Sequence, residues 1–405
     1  MSRTLYFRGG PMSPFWWHDN QTAFHNRFQV TLDHEVESEL LAIAWEKTKR
    51  VYPLIDCVPE LEDGEIVFYA DDRINPPICS DVPVNPGCEA CSGRVFSLTY
   101  SGRKVAMSAY HSVVDGGGIN AIFSTLVYFY LALHTGVEDE VPPVQTREDR
   151  EPETYYTSLA SMDLGEFEQQ PLVTYPKRDG MFRDVRMTPD EEGNISLARL
   201  RMPAAEFMSA CKRIGASPSA MLCVLMAKAA YMLHPQRTGD LAFVLTMSVR
   251  SATGVLDSIA NCSTNLLLPV AYDDIVSEDL RPGVQRIRAN INAQRRLDYI
   301  KTQAAFYETY DWLLASCYGT LTYLGVFNVG ENTKHIVDFE MSDDAVASVF
   351  MMGLNDDFVL SFQLGRVTRD YAEAVTRILL EFGVVSELID PPHHIMSGRS
   401  LLSPE

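Results

Sequence analysis

Positive charge is in short supply in this chain. Its 405 residues carry 34 Lys and Arg against 54 Asp and Glu, a formal net charge of −20 at pH 7. A phosphate-backbone partner is disfavoured, because most of the surface would repel it, so no nucleic acid is expected. An anionic small substrate is not excluded, since a local basic patch suffices. Long apolar runs are lacking too. The most apolar windows, residues 119–133 and 220–233, are short and broken by polar residues, so no membrane span is expected. The opening Met1-Ser2-Arg3-Thr4-Leu5-Tyr6, soon followed by Pro11 and Pro14, has no apolar run ending in small residues and does not read as a secretory signal. A cytoplasmic location is the expectation, with the eight cysteines as reduced thiols. Cys88-x-x-Cys91, with Cys79 upstream, begins a zinc pattern, but no second Cys pair or nearby His completes it, so no metal is expected. No internal repeat of fixed short period is present.

What is there reads as an α/β protein of two domains. A chain this long outgrows one compact core. Residues 28–31 read as a strand, and residues 34–50 as a helix capped by Asp33 and stopped by Pro53, with Val36, Leu40, Ala44 and Val51 near helical spacing. Residues 65–70 form a strand, 71–93 a loop, and 94–100 with 104–110 a β-hairpin whose second arm alternates between two faces. A glycine-rich turn at residues 115–118 leads into a helix from Ile119. Residues 137–193 are rich in acids and prolines and read as a crossover. The resulting organisation is an N-terminal subdomain over residues 1–165, a linker over 166–190 and a C-terminal subdomain over 191–405. The second half holds strands at 195–200, 241–249, 265–270, 320–326 and 358–364. It also holds helices at 204–214, 284–296 and 369–382, and one from Ser217 to about Leu233 that is apolar nearly all round and therefore buried. His393-His394 lies in a Pro-rich tail that reads as disorder. Trp16-Trp17 either lines an opening or packs as ordinary aromatics.

The chemistry concentrates at Tyr110-His111-Ser112-Val113-Val114-Asp115-Gly116. A strand ends at Tyr110 and projects His111 just past it. An imidazole near its reference pKa of about 6.5 is largely neutral at cytosolic pH and can accept a proton from an alcohol or amine that attacks a carbonyl. Asp115 either orients His111 directly or anchors the loop to a distant arginine. The three glycines make a tight turn. They are not a phosphate-cradling P-loop, because no Gly-Lys-Ser/Thr follows. No cysteine stands beside His111, which disfavours a covalent thiol route.

This run resembles the His-His-x-x-x-Asp-Gly signature of the CoA-dependent acyltransferase superfamily, which includes nonribosomal condensation domains, BAHD acyltransferases, chloramphenicol acetyltransferase and alcohol acetyltransferases. The resemblance implies two chloramphenicol-acetyltransferase-like subdomains, each a mixed sheet flanked by helices, with a tunnel between them. It implies His111 as general base, Asp115 as a structural aspartate, and Gly116 beside the entry of the thioester donor. Tyr110 stands where the first histidine would be. Thr246-Met247-Ser248-Val249-Arg250 resembles a strand ending in arginine, which makes Arg250 the candidate partner of Asp115; a solvated arginine is the ordinary alternative. Residues 259–270 resemble the floor segment that follows. Thr322-Tyr323-Leu324-Gly325 resembles a segment of alcohol acetyltransferases, so Thr322, Tyr323 and Tyr110 are candidate oxyanion or tunnel residues; for Tyr323 core packing is the ordinary alternative.

The function implied is direct transfer of an acyl group from acyl-CoA, a co-substrate and not a permanent cofactor, to a small alcohol or amine. A condensation-type enzyme using a carrier protein ranks lower, because an acidic surface suits an acidic carrier poorly. A catalytically inactive relative used for binding is the third reading.

Overall fold

Leu41, Ala44, Trp45, Thr48 and Val51 recur at three- and four-residue steps and are buried along one side of a helix, α1 (Ser38–Val51). Lys49 and Arg50 occupy its last turn, where the helix dipole favours cations, and Pro53 opens a separate 3-10 turn beyond it. The helix begins at Ser38 and not at His34. Asp33 N donates to the His335 carbonyl and Val36 N to the Gly102 carbonyl, so these N–H groups are held by distant partners before the helix begins. The capping role expected of Asp33 is therefore not filled; Glu37 precedes the helix without a side-chain bond.

The computed structural model describes residues 4–11, 25–63, 65–82, 84–159, 165–173, 184, 186–191, 193–305, 317–344 and 347–396. Trp16-Trp17 and part of the expected linker lie outside these. In chain order the first half runs β1 (Thr4–Pro11), β2 (His25–Leu32), α1, β3 (Cys57–Glu62), β4 (Glu65–Ala70), β5 (Ile78–Cys79), β6 (Phe96–Ser101), β7 (Lys104–Tyr110) and α2 (Gly116–Thr135). The second runs β8 (Asn194–Pro203), α3 (Ala204–Ile214), α4 (Pro218–Leu233), β9 (Leu241–Ser248), α5 (Arg250–Thr253), β10 (Ser263–Val270), α6 (Tyr272–Val276), α7 (Arg281–Gln294), α8 (Leu297–Ala305), β11 (Gly319–Phe327), β12 (Ile336–Asp343), β13 (Ser348–Leu354), β14 (Asp357–Gln363), α9 (Thr368–Glu381) and β15 (Glu387–Met396).

The chain forms two units. The first gathers Met1–Asp163, Gly254–Cys262 and Val326–Asp344; the second takes Leu164–Thr253, Ser263–Gly325 and Ala345–Glu405. Two stretches from the back half of the chain thus belong to the first unit. That unit has a sheet of order β12-β2-β7-β6-β5 and a smaller one of order β1-β4-β3. β12 pairs antiparallel with β2, and β5 runs parallel to β6, so the larger sheet is mixed. β7 is its central strand and is buried on both faces beyond Lys104. α2 is long and apolar enough to cross a membrane by length and composition, yet most of it is buried, packed on α1 and β2. Tyr155, Tyr156 and Leu159, inside the stretch expected to be crossover, are buried core residues.

The second unit has one sheet of order β10-β9-β11-β13-β14-β8-β15, mixed because β11 runs parallel to β9. α4 crosses its core and is buried nearly all round, as its composition demands, with Ser217 Oγ accepting from Ala220 N at its start. The tail expected to be disordered is β15: His393 and His394 pair in register with Leu197 and Ser196 on β8, past an irregularity that accommodates the two prolines.

Candidate active site

The site in the first unit is built where β7 ends. Val113 N and Val114 N both donate to the Tyr110 carbonyl, at 3.1 and 3.2 Å, so the chain turns as soon as it leaves the sheet. His111 sits on this turn. Asp115 is the N-cap of α2, which starts at Gly116 and not at Ile119. Its Oδ1 accepts from Gly118 N at 2.8 Å, satisfying one of the helix's unpaired first N–H groups. Its Oδ2 accepts from Cys262 N at 2.9 Å. Asp115 is almost fully buried. The carboxylate therefore ties the motif loop to a segment nearly 150 residues away, and the helix dipole favours its charge.

That segment, residues 258–262, runs alongside the motif. Val114 and Ala260 form an antiparallel bridge. Gly118 passes so close to Ile259 that a Cβ would run into the Ile259 carbonyl oxygen. The glycines serve this close approach and the first turn of a helix, not the tight turn read from the sequence. Ile259 N donates to the Tyr155 carbonyl at 2.8 Å, and Ser258 Oγ donates to the Thr157 carbonyl at 2.9 Å. The Tyr156 hydroxyl donates to the Val113 carbonyl at 3.3 Å.

His111 retains some exposed surface, yet desolvation dominates its titration and lowers its pKa from the ordinary 6.5. A hydrogen bond between the ring and its own backbone, and the negative charge of Asp115, oppose that shift without cancelling it. The imidazole is accordingly neutral at pH 7 and can take a proton. Asn261 Nδ2 donates to the His111 carbonyl at 3.1 Å.

Tyr110 is buried, with its ring 4.9 Å from that of His25 and its hydroxyl over Gly87, where a Cβ would collide with it. Burial pushes the phenol up to about 12, so it stays protonated. His25 Nδ1 in turn lies 2.6 Å from Asp344. Cys88 and Cys91 hold their sulfurs 3.8 Å apart, and among the described residues no three His, Cys, Asp or Glu side chains converge as a metal-donor set.

The structure brings Tyr110, His111, Asp115 and Gly116 together in the first unit. Arg250, Thr322 and Tyr323 belong to the second. Arg250 is buried at the start of α5, with Nη1 donating to Ser248 Oγ at 3.1 Å. Thr322 pairs with Thr246 across β11 and β9. Tyr323 packs edge-on against Phe358 with ring centroids 6.0 Å apart, against the core of its unit. Sequence reasoning missed Asn261, Ile259 and Tyr156. The resemblance marked residues 259–270 as a floor segment, but no local signal picks out these three side chains or carbonyls.

Neither a protein-family model nor a curated protein matches the chain. Solved structures do match it. F. graminearum TRI101 complexed with coenzyme A and T-2 mycotoxin superposes with a TM-score of 0.67 at 10% identity, over 95% of this chain and 100% of that one. TRI3 trichothecene 15-O-acetyltransferase from Fusarium sporotrichioides gives 0.59 at 10% identity, over 90% and 91%. The epimerization domain from the third module of tyrocidine synthetase B gives 0.58 at 13% identity, over 94% and 98%.

Proposed function

Given a chain that carries the fold of the CoA-dependent acyltransferase and condensation-domain superfamily over nearly its full length, we propose that it is an acyltransferase moving an acyl group from a CoA thioester to a small alcohol or amine. The observation that carries this reading is a neutral imidazole at a strand end, with its pKa lowered by burial, on a loop braced by Asp115. His111 takes the proton of the acceptor hydroxyl or amine as its oxygen or nitrogen attacks the thioester carbonyl. The C–S bond then breaks and the imidazolium returns the proton to the departing thiolate. No acyl-enzyme is needed. Asp115 is a positioning residue in this scheme, acting through the backbone of Gly118 and Cys262.

TRI101 was crystallised with both coenzyme A and T-2 mycotoxin, and TRI3 is a trichothecene 15-O-acetyltransferase; these support acyl-CoA as donor and a small molecule as acceptor. The second reading is a condensation-type enzyme using carrier-bound acyl groups, with the fold shared with the epimerization domain of tyrocidine synthetase B as its support. The test is to offer the protein a panel of acyl-CoAs with mixed alcohols and amines and to follow free thiol, then to repeat with His111→Ala. Acceptor-dependent thiol release that disappears in the variant is expected. Release that survives the substitution removes His111 as the base. Release only from carrier-loaded acyl groups moves the assignment to the second reading, and silence with every donor moves it to a binding protein.

A further inference from the structure

Cys88-x-x-Cys91 lacks the donors of a metal site among the described residues, but its two sulfurs stand 3.8 Å apart on one turn. Cys88 has extended backbone and leads into a 3-10 turn (Glu89–Cys91). Gly93 N donates to the Cys88 carbonyl at 3.0 Å, and Cys91 Sγ lies 3.3 Å from the same carbonyl, so the turn folds back on itself. From outside, Arg73 Nη2 donates to the Ser92 carbonyl at 2.7 Å. Cys88 is half-exposed and Cys91 is buried, so one sulfur meets reagents and the other waits behind it. A disulfide bond is about 2.05 Å long, and two sulfurs already in contact on a short turn reach that length by side-chain rotation and a small backbone shift. The turn also abuts the strand end that carries His111. Tyr110 N donates to the Val95 carbonyl at 3.1 Å, Gly87 N donates to the Arg94 carbonyl at 2.8 Å, and the Tyr110 hydroxyl fills the place where a Cβ on Gly87 would stand. Gly87 is the chain neighbour of Cys88, so the Tyr110 ring feels any movement of Cys88, one residue before His111.

We infer that Cys88 and Cys91 form a reversible redox site, which a hydroperoxide closes to a disulfide and whose closure displaces Tyr110 and with it His111. The Cys88 thiol gives up its proton, and its sulfur attacks the outer oxygen of the hydroperoxide. The O–O bond breaks and the departing alkoxide or hydroxide takes a proton, leaving Cys88 as a sulfenic acid, oxidised by two electrons. The Cys91 sulfur then attacks the Cys88 sulfur. The S–S bond forms, and the Cys91 proton leaves with the sulfenic hydroxyl as water. In sum, two thiols and one hydroperoxide give one disulfide, one alcohol (or water) and one water. Burial, with the neighbouring Cys88 sulfur adding to it, pushes the Cys91 thiol up to about 11, so the first attack belongs to Cys88. In a reducing compartment such a pair rests as the dithiol and closes only transiently. The disulfide is measured without reference to acyl transfer; only its effect on the rate rests on the acyltransferase reading.

The protein, fully reduced and then treated with hydrogen peroxide, should lose the mass of two hydrogens and regain it with dithiothreitol. Cleavage after Glu89 separates Cys88 from Cys91, so the two fragments should stay joined until they are reduced. Oxidation of the unmodified protein should also move the ring resonances of His111 and lower kcat by about tenfold or more, and reduction should reverse both. None of these readings needs a variant. Cys91→Ser should halt the reaction at a sulfenic acid on Cys88 that dimedone traps. Cys88→Ser should keep Cys91 as a thiol and make transfer insensitive to peroxide. A linkage through Cys79, or a Cys88 that runs on to sulfinic acid while Cys91 stays a thiol, overturns the pairing. A Cys88–Cys91 disulfide that leaves both the His111 ring and the rate unmoved overturns the link to Tyr110. If the reduced protein transfers nothing, yet the disulfide closes and the His111 ring responds, the acyl-transfer reading fails and the redox site stands.

Discussion

His111 and the histidines at the far end of α2 live in opposite surroundings. His34, His134 and His335 cluster where the end of β2, the end of α2 and the approach to β12 meet. Each has a carboxylate on Nδ1: Asp33 is 2.6 Å from His34 and 2.9 Å from His335, and Glu37 is 2.6 Å from His134. The His34 and His134 rings stack with centroids 3.7 Å apart. These imidazoles are polar neighbours of exposed acids. His111 has backbone and amide neighbours, and burial dominates over the field of Asp115 in its titration. The contrast teaches that proximity of a carboxylate does not make a histidine a base. A base at neutral pH must be easy to deprotonate, and desolvation does that more directly than an ion pair, which favours the charged form.

The comparison breaks most readily at His111 itself. His111→Ala should reduce acyl transfer about 10²- to 10⁴-fold, the range typical of general-base catalysis. In the unmodified protein kcat/KM should rise with pH through the lowered pKa of His111, because only the neutral ring accepts a proton. A midpoint above the ordinary imidazole value of about 6.5 contradicts the burial argument. Next in size is Asp115→Ala, which leaves the Gly118 and Cys262 N–H groups buried without this acceptor. Equilibrium denaturation should register a loss of about 3 kcal/mol or more, and transfer should fall with it. A variant as stable as the parent would mean that the loop is braced by other contacts. Gly118→Ala should cost about 1–3 kcal/mol, since the Ile259 backbone must shift to admit a methyl group. A crystal structure of that variant with residues 258–262 unmoved would remove the close-approach argument.

Much of this site was legible because its chemistry is local. His111, Asp115 and the glycines stand within eight residues, and a histidine just past a strand end with a helix N-cap four positions later is a pattern one segment can carry. The hairpin of β6 and β7 and the apolar α4 were legible for the same reason. What was not legible comes from elsewhere in the chain. Asn261, Ile259 and Cys262 meet the motif through a backbone bridge that no periodicity announces. β12 gives no sign in its own sequence that it will pair with β2, about 300 residues earlier. The start of α1 was misplaced because Asp33 reads as a cap and Val36 and Leu40 fall near helical spacing, whereas Asp33 N and Val36 N are taken by the His335 and Gly102 carbonyls. His393 and His394 looked unstructured because two prolines precede them, but an irregularity in β15 absorbs both before the ladder with β8 resumes.

The smallest expected effect lies in the cluster at the end of α2, and it sharpens the contrast. Burial pushes the Asp33 carboxyl up, but hydrogen bonds from His34 and His335 outweigh it and hold the group below the usual carboxylate range. A depressed folded pKa contributes stability that is present above the unfolded value and is lost as pH falls through the folded one. The pair is exposed to solvent, so the contribution is modest. Asp33→Asn should therefore shift stability at pH 7 by less than about 1 kcal/mol. It should also flatten the acid side of the stability curve below about pH 4, where Asp33 would otherwise take up its proton. The rate of acyl transfer and the protonation midpoint of His111 should both stay where they are, because this cluster is separate from the loop that Asp115 and Asn261 brace. A shift in that midpoint on removing Asp33 would show that this cluster and the motif loop are electrostatically coupled, and the contrast between them would have to be redrawn.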